Sequence, residues 1–189
     1  MDINFEDIKM FLESISSDYN KEFEATLTGN DQGCIKSSVV LTEIISRRFD
    51  IPIGYENPGI RIKCGKVNET NHYWNEVSVG DKVFLDARFG QFNEQYIGRI
   101  RFEKIYDSFY SDHDFHGLTI YDDKGLAQFY SNLMRIDDSD TEFAYIALSP
   151  YPDNAKFMLT INDSGSTDFF LEQDDQSNLK RVSEMFTSY

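Results

Sequence analysis

The sequence predicts an α+β fold, and two observations lead there. Apolar residues recur at helical spacing in two stretches near the N-terminus, and the period then drops to two over a succession of short segments. Helices followed by a run of strands, without regular alternation, indicate α+β rather than a doubly wound sheet. The 189 residues include 16 Phe and 11 Tyr. A chain of this size and aromatic content can bury a core without a disulfide or metal staple.

Residues 3–17 read as an amphipathic helix, because Ile8, Phe11, Leu12 and Ile15 fall at i, i+3, i+4 and i+7. A polar stretch runs from Thr28 to Gly33, with Asn30 and Asp31 as competent caps. Residues 34–48 read as a second helix with Leu41, Ile44, Ile45 and Arg48 along one side, ended by Pro52. Ile60, Ile62 and Cys64 then alternate with Arg61 and Lys63, the pattern of a half-buried strand. Two more strands, His72 to Val77 and Asp81 to Ala87, flank a turn at Ser78, Val79 and Gly80. Further strands are expected near 99–105, 143–148, 156–161 and 168–171, a helix at 124–134 and a closing helix at 177–186. The chain has no internal repeat.

Charge excludes several function classes. There are 33 acidic and 18 basic residues, a net charge of −15. Such a chain repels a phosphate backbone and an anionic bilayer, so neither nucleic acid nor membrane is an expected partner. Residues 1–106 carry 17 acids against 13 bases, and residues 107–189 carry 16 against 5. The acidic C-terminal part is suited to a basic partner, or is simply a solvated surface. No apolar run is long enough for a membrane span, and the acidic N-terminus lacks the features of a cleaved leader. The two cysteines, Cys34 and Cys64, fit a reducing compartment, so a cytoplasmic location is expected.

The residues that carry chemistry begin at Gly33 and Cys34. A cysteine that opens a helix after a glycine loop sits where backbone N–H groups lack internal partners and the helix dipole is positive. Both favour a thiolate, the nucleophilic form. Next, a three-residue loop at 78–80 pairs Glu76 with Lys82, Trp74 with Phe84 and His72 with Asp86 across the hairpin. A loop shifted by one residue places Asp86 on the other face from His72. With the first register, Cys34, His72 and Asp86 form a nucleophile, a base and the acid that orients it. Backbone N–H groups near Cys34 are candidates for an oxyanion hole. Trp74 and Gln91 are candidate substrate-binding residues, against the plainer readings of a core aromatic and a loop residue. Asp112, His113, Asp114 and His116 lack a fourth ligand at recognisable spacing and read as an exposed acidic loop. The acidic run 137–142 lacks the glycine and spaced glutamate of a calcium loop. No metal site and no cofactor are expected.

Gly33-Cys34 with Ser37 and Leu41, then His72-x-Trp74-x-Glu76-Val77, Gly80 and Asp86-Ala87, resembles the transglutaminase-like branch of the papain-fold cysteine protease superfamily. The resemblance covers about residues 28–92, and its His-to-Asp segment is the specific part. It implies a papain-like, transglutaminase-like fold with the catalytic helix packed on an antiparallel sheet. Residues 1–106 then form the catalytic core, and 107–189 an acidic extension packed on it as one unit. It also implies a cysteine hydrolase that cleaves an amide of a protein or peptide substrate through a thioester, as a protease or a protein-glutamine deamidase. The alternatives within the resemblance are a catalytically inactive binding or adaptor protein and an acyl-transferring transglutaminase.

Overall fold

The computed structural model describes residues 3–27, 33–53, 56–67, 70–109, 119–120, 144–148, 157–161, 165–169 and 173–188. The first helix, α1, spans Phe5–Glu24. Asn4 caps it by accepting from the N–H groups of Glu6 and Asp7, while Asp7 accepts from the Asn4 N–H at 3.1 Å. Such a reciprocal cap contributes about 1 kcal/mol. The helix runs well past the expected end at residue 17, because Tyr19 and Phe23 continue the buried row of Ile8, Leu12 and Ile15. Each of these side chains contributes about 1.5–3 kcal/mol by leaving water.

The second helix, α2, spans Cys34–Phe49. It ends at Asp50, which adopts a left-handed conformation, φ 52°, and returns its N–H to Ser46. The chain then forms β1 (Gly59–Val67), β2 (Thr70–Val79) and β3 (Asp81–Asp86), two short 3-10 turns at Phe89–Gln91 and Glu94–Tyr96, and β4 (Arg101–Lys104). A two-residue strand, β5 (Thr119–Ile120), completes a sheet in the order β4-β3-β2-β1-β5 with every pair antiparallel. A second sheet joins β6 (Ala144–Leu148), β7 (Phe157–Ile161) and β8 (Gly165–Phe169) as an antiparallel meander. Its last strand begins at Gly165 rather than the expected Asp168, because Gly165 already pairs with Ile161. The closing helix, α3, spans Gln173–Thr187. The helix expected at 124–134 and the acidic loops at 112–116 and 137–142 lie outside the described residues.

The two faces of the first sheet differ in composition. Ile60 and Ile62 of β1, Tyr73, Val77 and Val79 of β2, and Val83 and Leu85 of β3 join the apolar core formed with α1 and α2. Leu179, Val182 and Phe186 of α3 belong to the same core, and Phe186 meets Tyr19 edge-on at 5.8 Å. The alternate residues of these strands build a second cluster, in which Trp74 and Phe84 pack with Val67, Phe89 and Phe109.

The β2–β3 register corrects the expected one by two residues. Gly80, at φ 80°, alone separates the paired Val79 and Asp81. Glu76 therefore lies opposite Phe84, and Ser78 opposite Lys82. Glu76 instead accepts from Arg61 Nε, its direct neighbour on β1, at 3.0 Å. A slip of two preserves side-chain parity where a slip of one inverts it, so His72, Trp74, Phe84 and Asp86 still share a face. Trp74 and Phe84 meet on the diagonal with ring centroids 6.2 Å apart.

Candidate active site

Cys34 is the first residue of α2 and is partly exposed. Gly33 before it is held at φ 68° and offers no side chain to cap the helix. A Cβ on Gly33 would stand 2.6 Å from Leu27 Cδ2 and 3.1 Å from Phe23 Cε1. The left-handed conformation favours glycine there, and a Cβ would in addition require the Leu27 side-chain end to move aside. Tyr19 of α1 ties down the same helix start by donating its hydroxyl to the Ser37 carbonyl at 3.2 Å. On the other side, buried Asn75 of β2 donates to the Ser38 carbonyl at 2.9 Å and to Thr42 Oγ1 at 2.7 Å. These contacts lock α2 to its neighbours one turn beyond the thiol.

His72 has no exposed surface. Its Nε2–H donates to Asp86 Oδ2 at 2.5 Å, and Asp86 Oδ1 accepts the Arg88 N–H at 2.7 Å. The two residues meet diagonally, since β3 stops at Asp86, which pairs with Arg101 of β4. A diagonal neighbour lies within reach of a ring-bearing side chain. The Cys34 thiol lies near enough to the same imidazole to favour its protonated form. The structure therefore brings Cys34, His72 and Asp86 together in one chain of contacts.

The electrostatics follow from that chain. Burial alone would lower the His72 pKa, but the Asp86 carboxylate and the Cys34 thiol outweigh it and push the pKa up to about 9. The imidazolium is the favoured form at neutral pH.

Trp74 and Gln91 are placed differently from each other. Trp74 is fully buried and stacks beneath His72 with 6.1 Å between ring centroids. It has no surface open to a substrate, and its part in this structure is to support the imidazole. Gln91 stands at the site's edge, with its amide nitrogen 3.4 Å from His72 Nδ1. Sequence reasoning missed three supporting residues. Phe92 meets the His72 ring edge-on at 4.7 Å. Arg101 is buried against the rings of Phe89 and Tyr96, at 4.1 Å and 4.9 Å from their centroids, and donates to Glu103 at 2.7 Å. Asn75 had a detectable signal, a polar residue in the apolar phase of its strand. No such signal marks Phe92 or Arg101. The Cys64 side chain lies outside the described residues.

No helix among the described residues is long and apolar enough to cross a membrane. No family model, curated protein or solved structure matches this chain.

Proposed function

We propose that this chain is a cysteine hydrolase that attacks an amide carbonyl of a protein or peptide. The observation that carries the reading is the continuous contact from the Cys34 thiol through His72 to Asp86 at a helix N-terminus. In this mechanism Cys34 Sγ attacks the carbonyl carbon, and the oxyanion is received by first-turn N–H groups of α2. His72 delivers its proton to the departing nitrogen, so that an amine or ammonia leaves and a thioester remains. His72, now neutral, takes a proton from water, whose oxygen attacks the thioester and releases the acid and the thiol. Asp86 holds the ring orientation and stabilises the imidazolium throughout. The transglutaminase-like motif at residues 33–41 and 72–87 supports the same assignment, and with it a papain-like arrangement of helix and sheet.

The test is the rate at which iodoacetamide alkylates Cys34 between pH 5 and 9, mapped by peptide mass with Cys64 as internal reference. Fast labelling below pH 7 that disappears in His72→Ala is the expected result. Labelling as slow as an ordinary thiol in both proteins would overturn the reading. Product mass on protein substrates then separates the reaction types. Deamidation adds about one dalton, amine transfer adds the amine, and proteolysis gives two fragments; Cys34→Ala should abolish all three.

A further inference from the structure

We propose that Asn75 is a positioning residue that clamps the start of α2 to β2 and so sets the distance between the Cys34 thiol and His72. The inference rests on the reading of Cys34 and His72 as nucleophile and base. Asn75 and His72 both belong to β2, about 10 Å apart along the strand, and project from opposite faces of the sheet. The Asn75 amide nitrogen meets two groups of α2, the Ser38 carbonyl at 2.9 Å and Thr42 Oγ1 at 2.7 Å. Ser38 lies one turn, about 6 Å, beyond Cys34 on the helix. One strand therefore carries both the base and the anchor of the helix that bears the nucleophile.

The chemistry of the partners fixes the orientation of this amide. A backbone carbonyl only accepts, so the nitrogen and not the oxygen must face Ser38. Its second proton goes to Thr42 Oγ1, which in turn donates its own proton to the Ser38 carbonyl at 2.8 Å. The three groups close a ring in which every donor has an acceptor, and Ser38 and Thr42 are buried with Asn75. From the side of α1, Tyr19 holds the neighbouring Ser37 carbonyl at 3.2 Å. Asn75 supplies the hold from the side of the sheet, on the strand of the base itself.

Packing does not call for a polar residue at this position. Asn75 has no exposed surface, and its direct neighbours across the sheet are Ile62 of β1 and Leu85 of β3, both in the apolar core. Its Oδ1 is buried and has no hydrogen-bond partner among the described residues, a state that costs stability. Loss of the amide would leave no group of α2 orphaned, because Thr42 Oγ1 still donates to the Ser38 carbonyl. A leucine would therefore suit the core at least as well. Asparagine adds direction: two hydrogen bonds fix the height and rotation of α2, which a non-directional apolar contact does not. A shift of about 1 Å in a reacting group costs on the order of a hundredfold in rate.

The test compares the unmodified protein with Asn75→Leu in three measurements: urea unfolding, alkylation of Cys34, and titration of His72 by nitrogen-15 NMR. Stability should be unchanged or raised, while Cys34 labelling below pH 7 slows by about tenfold or more. The titratable groups that face His72 are Asp86 from β3 and Cys34 from α2, and both favour the protonated ring. The variant leaves Asp86 in place, so withdrawal of the thiol should move the His72 titration down. Labelling as fast as in the unmodified protein, or a titration that stays in place, overturns the proposal, and a loss of stability alone marks a plain structural residue. If Asn75→Leu does not fold, Thr42→Val decides. It removes one of the two anchors and should slow labelling by a smaller factor, and unaltered labelling there overturns the proposal as well. The two readings fail separately. Slow labelling of the unmodified protein brings down the hydrolase reading, and Asn75 is then judged by the His72 titration alone.

Discussion

Strand β2 carries two acid–base pairs on one face, four residues apart, and they are built for different work. Arg61 and Glu76 sit directly opposite each other across β1 and β2. Arginine stays charged at any ordinary pH, so this pair contributes to register and little else. His72 and Asp86 meet on a diagonal at the end of β3, wholly buried, and the same imidazole also holds the Cys34 thiol. A pair that titrates, and that lies beside a partly exposed thiol, can move a proton. Charge alone does not distinguish a structural pair from a chemical one. The distinguishing features are whether the base can lose its proton and what its second nitrogen faces.

The comparison can be broken first by removing each acid. Asp86→Ala leaves a buried histidine without its carboxylate and should cost about 3–5 kcal/mol in urea unfolding, followed through the fluorescence of the single Trp74. The His72 titration should also fall, because the principal group opposing burial is gone. Equal losses for Asp86→Ala and Glu76→Ala would erase the distinction.

The pH dependence of stability sharpens it. The His72 pKa is raised from 6.5 in the unfolded reference to about 9 in the fold. Its contribution is complete below about pH 6.5 and disappears as the pH rises through about 9, a loss of about 3 kcal/mol. Unfolding measured between pH 6 and 10 should show this slope, and Asp86→Ala should flatten it.

Gly33→Ala tests the support under the thiol. Alanine at φ 68° with Leu27 at 2.6 Å should cost about 2 kcal/mol and slow Cys34 alkylation. Unchanged stability would mean that the Leu27 side chain moves aside easily. The smallest effect belongs to Arg61 and Glu76. A double-mutant cycle of Arg61→Ala and Glu76→Ala should give a coupling of about 1 kcal/mol with Cys34 reactivity unaltered.

Much of this arrangement was legible in the residues. Ile8, Leu12 and Ile15 announced α1, but its last turns depend on Tyr19 and Phe23 meeting α2 and α3, which a polar run at residues 16–18 concealed. Alternation announced β1, β2 and β3. Their register differs from one that pairs Glu76 with Lys82, because Arg61 on β1 satisfies Glu76. His72 and Asp86 share a face in either register because a two-residue slip keeps parity. Phe92, Arg101 and the orientation of Gln91 were not legible, since each acts through contacts set by the turns after β3.

The sequence by itself determined the order and kind of the elements, and the residue types available to the site. Helix and strand periods are local properties that a linear pattern carries. Only the tertiary structure decided that Cys34 meets His72, that Trp74 lies under the imidazole rather than in front of a substrate, and that Gln91 stands at Nδ1. Those facts depend on the direction of α2 across the sheet and on the turn at Gly80. Both are fixed by packing between segments distant in sequence, where one helix end or one strand row moves a side chain by more than the length of a hydrogen bond.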